Sequence, residues 1–202
     1  MRYFPGFLDA GDRLQLLGEV RSALEAAPPF TPTMPRTGKP FSVRMTNLGT
    51  LGWVSDRSGG YRYQTTHPVT GQAWPPIPDF LTAIWRKLAD YPHLPEACLI
   101  NLYSEKARMG LHRDADEDDF AAPVLSVSLG AEALFRIGGR ERGDPTRSFR
   151  LKSGDVLLLA GETRLAYHGV DRIYPGTSSL PDGAFPGIAR VNLTLRRVRR
   201  PS

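Results

Sequence analysis

Between residues 9 and 27, Leu14, Leu17, Val20 and Leu24 recur at steps of three and four, the spacing that lines one face of a helix. Pro28-Pro29 then ends the pattern. A second amphipathic stretch places Leu81, Ile84 and Leu88 on one face, with Asp79 at the position of an N-terminal cap. Between these two predicted helices the periodicity changes. Residues 32–39 form a turn-rich loop carrying Arg36 and Lys39. Phe41 to Trp53 reads as a strand and hairpin broken at Gly49 and Gly52, and Tyr61 and Tyr63 alternate with Arg62 beyond the Gly59-Gly60 turn.

After about Tyr91 the chain becomes a series of short apolar runs separated by Gly, Pro and charged residues. The runs are Cys98–Tyr103, Val124–Leu129, Leu134–Ile137, Phe149–Leu151, Val156–Leu159, Leu165–His168 and Arg190–Val198. Repeated short strands with turn signals predict a sandwich or barrel rather than alternating βα units. The expected fold class is mainly β with flanking α: helices in front, a β-sandwich behind.

Composition adds limits. The chain has 202 residues, 41% hydrophobic and 23% charged, which suits one soluble domain with a sizeable core. A formal net charge of +5 turns attention toward anionic partners, although a basic solvated surface explains it equally well. The single cysteine, Cys98, rules out an intrachain disulfide and sits in the apolar run ACLI as a small core residue. Val156–Ala160 is too short an apolar run to span a bilayer, and the N-terminus lacks the apolar core of a secretory signal. The expected setting is the cytoplasm, with no membrane association.

Two segments carry candidate chemistry. In LHRDADE (111–117), His112 and Asp114 stand two residues apart, so on an extended strand they share a face. An imidazole and a carboxylate are two of the three ligands of a 2-His-1-carboxylate iron site. The bare pair is equally compatible with a solvated turn. Of the other histidines, His67 and His93 lie beside prolines in loops and read as surface residues, whereas His168 ends the run LAYH before Gly169, at a strand end. His112, Asp114 and His168 therefore form a candidate set. In RVNLTLR (190–196), Arg190, Asn192, Thr194 and Arg196 fall on one face and Val191, Leu193 and Leu195 on the other. The polar face is either a solvated sheet surface or the lining of a cavity. In the second case its guanidiniums require anions, as a dicarboxylate would supply. Asn101 and Tyr103 share a face of a neighbouring strand.

The ordered set NLY (101–103), LHRDADE (111–117), PVLSVSLG (123–130), GDV (154–156), HGV (168–170) and RVNLTLR (190–196) resembles the AlkB family of iron(II)- and 2-oxoglutarate-dependent dioxygenases. MTNLGTLGW (45–53) and GYRY (60–63) are similar to its bacterial members, so the resemblance runs from about residue 41 to 197. It implies a double-stranded β-helix, or jelly roll, with N-terminal helices and a nucleotide-binding hairpin. Residues 1–95 would carry the helices and substrate recognition, and 96–200 the catalytic core of a single domain spanning 1–202. His112, Asp114 and His168 would bind iron(II). Arg190, with Tyr103 assisting, would take the distal carboxylate of 2-oxoglutarate; Arg196 and Asn101 would sit at its metal-proximal end, and Asn192 would help hold it. With O2, such a site oxidises methyl groups on alkylated DNA or RNA bases such as 1-methyladenine and 3-methylcytosine, releasing formaldehyde, succinate and CO2. Trp53, Tyr61, Met45, Arg142 and Asp116 match substrate-side positions, with Asp116 beside the base. Arg197, Arg199 and Arg200, with Arg36, Lys39 and Arg44, could contact phosphates. The expected protein is a monomer. A related oxygenase on another methylated substrate, and a jelly roll that binds without turnover, remain the alternatives.

Overall fold

The computed structural model describes Met1–Pro201. Its first helix, α1 (Ala10–Ala26), starts at Asp9, whose carboxylate accepts from the Asp12 amide while Asp12 accepts from the Asp9 amide. This reciprocal cap satisfies two of the amides that a helix start leaves open. The buried stripe is Leu16, Val20 and Ala23, with Leu17 and Leu24 partly covered. Leu14 is 66% exposed, so the sequence pattern placed the stripe slightly off its true position. The second helix, α2 (Asp79–Leu88), buries Leu81, Ile84, Trp85 and Leu88. Asp79 does not cap it. Pro78 takes the cap position and supplies no side-chain bond, and Asp79 stands in the first turn, where the helix dipole favours a negative charge.

The described residues also contain twelve strands: β1 (Arg2–Phe4), β2 (Arg44–Gly49), β3 (Gly52–Asp56), β4 (Gly60–Gln64), β5 (Ala97–Tyr103), β6 (Met109–His112), β7 (Val124–Gly130), β8 (Ala133–Ile137), β9 (Arg147–Leu151), β10 (Val156–Leu159), β11 (His168–Ile173) and β12 (Arg190–Arg196). A six-stranded main sheet runs β1-β10-β7-β12-β5-β2, a four-stranded sheet runs β6-β11-β8-β9, and β3-β4 form a separate hairpin. The two larger sheets face each other in the manner of a jelly roll. Strands β1 and β2, from the N-terminal part of the chain, form the edges of the main sheet.

Strand alternation divides the interior. Cys98, Ile100 and Leu102 of β5, Leu125, Val127 and Leu129 of β7, and Val191, Leu193 and Leu195 of β12 pack against α1 and α2. The opposite face of the main sheet looks toward Phe135, Ile137, Leu151 and Val170 of the smaller sheet. Burial on both faces explains why these strands read as continuous apolar runs. No helix among the described residues is long and apolar enough to cross a membrane.

The run Leu165–His168 is not a strand. A 3-10 turn covers Gly161–Thr163, tight turns continue to Ala166, and β11 begins at His168 rather than ending there. Antiparallel register sets His168 directly opposite both His112 of β6 and Ile137 of β8. Pairing with β6 then shifts by a bulge at Gly169. A Cβ on Gly169 would lie 2.6 Å from the Met109 carbonyl oxygen and 3.0 Å from that of Gly110. The strand approach that pairs the two histidines therefore requires the bare backbone of glycine. Gly169→Ala should push β6 away from β11 and cost about 1–3 kcal/mol, the usual range for overpacking, measured by urea unfolding.

Candidate metal centre and anion pocket

His112 and His168 approach with their ring centroids 4.5 Å apart. Each ring is oriented in the same way: Nδ1 of His112 lies 2.9 Å from the Gly110 carbonyl and Nδ1 of His168 lies 2.9 Å from that of Ala166. With the proton on Nδ1 donated to the carbonyl, Nε2 keeps its lone pair for a metal, the arrangement that fixes the tautomer of ligating histidines. Asp114 joins them by a different route from the one the sequence suggested. β6 ends at His112, and Asp114 lies in the irregular loop beyond it, as does Asp116. Shared strand facing does not bring the carboxylate in. Arg196 does, donating from Nη2 to Asp114 Oδ1 at 2.7 Å. Oδ2 has no hydrogen-bond partner and lies 3.7 Å from His168 Nε2. The candidate ligand atoms of the three residues all lie within 4.8 Å of one another, the only such group of His, Cys, Asp or Glu among the described residues.

The protonation states suit a cation. Burial, then the proximity of His112, pushes His168 down to about 4, so it is neutral near pH 7. For Asp114 burial pulls upward, but the charge of Arg196 beside it holds the carboxyl well below its usual range. A neutral imidazole and an ionised carboxylate are the forms that bind metal.

The triad stands in a cavity of about 920 Å³ between the two sheets. Arg190, Asn192, Thr194 and Arg196 line it from β12, Asn101 and Tyr103 from β5, and Leu157, Leu159 and Phe135 supply apolar surface. Register sets Tyr103 opposite Arg190 and Asn101 opposite Asn192, so the polar groups form rows across the sheet. Arg190 is 1% exposed. It donates to the Ala131 carbonyl at 2.9 Å and the Ser128 hydroxyl at 2.7 Å, and no carboxylate forms an ion pair with it among the described residues. Burial pushes Arg190 down to about 10 and the Tyr103 phenol up to about 12. Asn192 is already committed: its amide nitrogen donates to Ser126 and Val127, and its oxygen accepts from Thr194. Among the described residues, the buried side-chain polar atoms without a partner belong to Asn101, Asp114, Arg136, Arg190 and Arg196, all of which line this cavity. Orphans gathered around one cavity mark a place built for a polar ligand. The donor set fits both groups that the sequence motifs imply, a divalent metal at the triad and an anion at Arg190.

At the mouth, Trp53 stacks on Tyr61 with ring centroids 5.7 Å apart and planes 21° apart, while Phe41 meets Trp53 edge-on. The Trp53 indole nitrogen donates to Asp116 Oδ2 at 2.8 Å. Met45 is buried in the wall, and Arg142 donates to the Leu111 carbonyl with its guanidinium over the Tyr167 ring. The Asn47 side chain, which sequence reasoning passed over, pairs with both the amide and the carbonyl of Trp53 and so fixes the β3-β4 hairpin to β2.

Several other sequence expectations change. His67 is 2% exposed: Nδ1 accepts from the amides of Val69 and Thr70, and Nε2 lies 2.7 Å from the Pro28 carbonyl, which accepts its proton. It is a buried turn cap, indistinguishable from a loop histidine by spacing alone. His93 is exposed, as its position among prolines suggested. Of the arginines expected at phosphates, Arg197 pairs with Glu96, Arg200 donates to the Asp118 carbonyl and Arg44 to that of Pro29. These contacts tie chain segments together. Glu117, Arg164 and Tyr63 went unread as a unit, because nothing in their spacing reveals that they meet.

Comparison with known proteins gives a consistent picture. A model of the 2OG-Fe(II) oxygenase superfamily matches residues 1–196. The alpha-ketoglutarate-dependent dioxygenase AlkB homolog of Caulobacter vibrioides (strain NA1000 / CB15N) is 54% identical over 196 residues, spanning 97% of this chain and 86% of that protein. The alpha-ketoglutarate-dependent dioxygenase AlkB of Escherichia coli (strain K12) is 38% identical over 187 residues, spanning 91% and 83%. Among solved structures, that of OsALKBH1 superposes with a TM-score of 0.80 at 29% identity, covering 96% of this chain and 95% of that one.

His168's folded value near 4 lies below its ordinary value of 6.5. Its contribution to metal-free stability is therefore intact above pH 6.5 and lost as pH falls toward 4. Urea unfolding in chelator between pH 7.5 and 4.5 should show a steeper decline for the wild type than for His168→Gln. Parallel declines would show that His168 does not carry this penalty.

Proposed function

The chain belongs to the 2OG-Fe(II) oxygenase superfamily, as an iron(II)- and 2-oxoglutarate-dependent dioxygenase of the AlkB type, and on that premise we propose that it demethylates alkylated bases in DNA or RNA, 1-methyladenine and 3-methylcytosine among them. The observation that carries this reading is the convergence, in one cavity, of the His112–Asp114–His168 triad and the buried, anion-seeking Arg190 beneath an aromatic hairpin. A module that only binds nucleic acid has no use for the second of these.

Bound iron, 2-oxoglutarate and O2 would supply the oxidising chemistry, converting an N-methyl group to a hydroxymethyl group that departs as formaldehyde while the co-substrate ends as succinate and CO2. The chain's own residues bind, orient and exclude. His112, Asp114 and His168 would hold the metal, with His168 a neutral imidazole and Asp114 an ionised carboxylate near pH 7. Arg190, helped by Tyr103, receives the distal carboxylate, whose charge relieves a guanidinium that burial otherwise penalises. Asn101 and Arg196 lie toward the metal-proximal end. Asn192, its amide fully bonded, acts by fixing Ser126 and Thr194 rather than by direct donation.

On the substrate side, a base must leave its stack to reach this depth, and a stacking surface must receive it. The Trp53–Tyr61 pair on the β3-β4 hairpin provides that surface, which makes the hairpin the nucleotide-binding element. Asp116 accepts from Trp53 through one oxygen, and the other is free to accept from an exocyclic amine of the base. Met45 and Arg142 line the approach. As a monomer in the reducing cytoplasm, the protein would keep its one thiol, Cys98, buried and inert.

With iron(II), 2-oxoglutarate and ascorbate, a 1-methyladenine oligonucleotide should yield formaldehyde and succinate in equal amounts. Absence of formaldehyde across DNA and RNA oligonucleotides carrying either lesion would refute the assignment. Arg190→Met should weaken 2-oxoglutarate binding by roughly 30- to 150-fold, the loss of about 2–3 kcal/mol from a charge-assisted contact, read by calorimetry with Mn(II) in the site. The same variant without co-substrate should be no less stable to urea than wild type, since an unpaired buried charge has been removed. A fall in its urea midpoint would assign Arg190 to structure instead.

A further inference from the structure

Arg164 is 2% exposed, lines no part of the cavity and stands four residues before His168, just past the 3-10 turn. All three of its nitrogens are used. Nε donates to the Ala122 carbonyl at 2.7 Å, Nη1 to the Asp114 carbonyl at 2.8 Å, and Nη2 to Glu117 Oε2 at 3.1 Å. Its two main-chain acceptors lie on either side of the loop that follows Asp114. Glu117 is equally enclosed: Oε1 accepts from the Tyr63 hydroxyl and lies 3.5 Å from Arg196 Nε. Arg196 in turn holds the Asp114 carboxylate. The contacts close a ring. Asp114 is gripped at its main-chain carbonyl by Arg164 and at its carboxylate by Arg196, and Glu117 joins the two arginines.

We propose that Arg164 and Glu117 are positioning residues for the metal site, fixing Asp114 so that Oδ2 alone is presented beside His168. The proposal rests on the reading of His112, Asp114 and His168 as metal ligands. Three features favour it over simple core cement. The ring contains two acids and two arginines, so its charges balance within the protein, and removing the charge of any member leaves a buried partner uncompensated. Both ends of Asp114 are held, which removes rotation of the loop as well as of the side chain. Arg164 also leads directly into the segment that carries His168, so one guanidinium sets the Asp114 loop against the strand of the second histidine. The flat fork of an arginine is needed for three acceptors in three directions, and a lysine ammonium cannot reproduce it.

Cobalt(II) titration of the metal-free, full-length protein, followed by visible absorption, tests this without turnover. Arg164→Lys and Glu117→Gln should bind cobalt about 10- to 100-fold more weakly than wild type, the usual effect of removing a partner that orients a ligand, with a changed absorption band. Arg86→Lys, on the exposed side of α2 and outside the cavity lining, should bind cobalt as wild type does. Circular dichroism with chelator confirms folding at the titration temperature; should Arg164→Lys not fold, Glu117→Gln, which preserves the shape, decides the matter alone. Folded variants with cobalt affinity within about threefold of wild type and an unchanged band would overturn the proposal, since a purely structural role lowers the melting temperature only. His112→Ala separates the two readings: if it retains wild-type affinity, the ligand assignment itself fails, whereas if it loses binding and Glu117→Gln does not, only the positioning role fails.

Discussion

A central strand that turns two arginines into the gap between its sheets needs compensating negative charge, and much of the site follows from how β12 meets that requirement. Arg190 and Arg196 occupy the same face of one strand, six residues apart (196 − 190), both almost wholly buried. An uncompensated guanidinium at either position would be costly. The protein answers differently at the two ends. Arg196 is matched internally, by Asp114 and Glu117, and burial is outweighed so that its pKa is raised well above the ordinary value. Arg190 receives only a carbonyl and a hydroxyl, and its pKa is lowered. At one end the partners are carboxylates of the protein itself, at the other they are neutral.

The sheets divide the work accordingly. The smaller sheet contributes the two histidines, paired by register and oriented by the carbonyls two residues before them. The main sheet contributes the arginines and the polar rows of β5, β7 and β12. The carboxylate comes from neither, but from the loop that leaves β6, and so it depends on side chains from several segments for its place. The loop is further secured by the C-terminal residues: the Asp118 amide donates to the Val198 carbonyl, and Arg200 returns a bond to Asp118. The basic tail that looked suited to phosphates thus serves partly as a strap on the metal loop.

The hairpin is joined to the same loop through Trp53 to Asp116 and Tyr63 to Glu117. The aromatic pair at the cavity mouth and the carboxylate beside the histidines are therefore separated by one or two residues of backbone. The hairpin and the Asp114 carboxylate are held by one short segment, and Asn47 and the packing of Phe41 keep the hairpin over it.

The sequence by itself determined most of the strands, the alternation of β12 and the His112–Asp114–His168 set. These are local properties: a period of two divides a strand into faces whatever the surrounding fold, and few residue types ligate metal or clamp a dicarboxylate. It misplaced the Leu14 face by less than a turn of helix, exchanged the start of β11 for its end, and treated His67 as exposed. Only the tertiary structure decided that His112 lies opposite His168, that Asp114 is delivered by Arg196 rather than by strand geometry, and that Arg164 and Glu117 close a ring behind it. Those outcomes depend on register, on a bulge that only Gly169 admits, and on charges that must find one another across tens of residues. Periodicity carries no record of such partners, because a buried ion pair is specified by where its two ends arrive and not by what surrounds each in the chain.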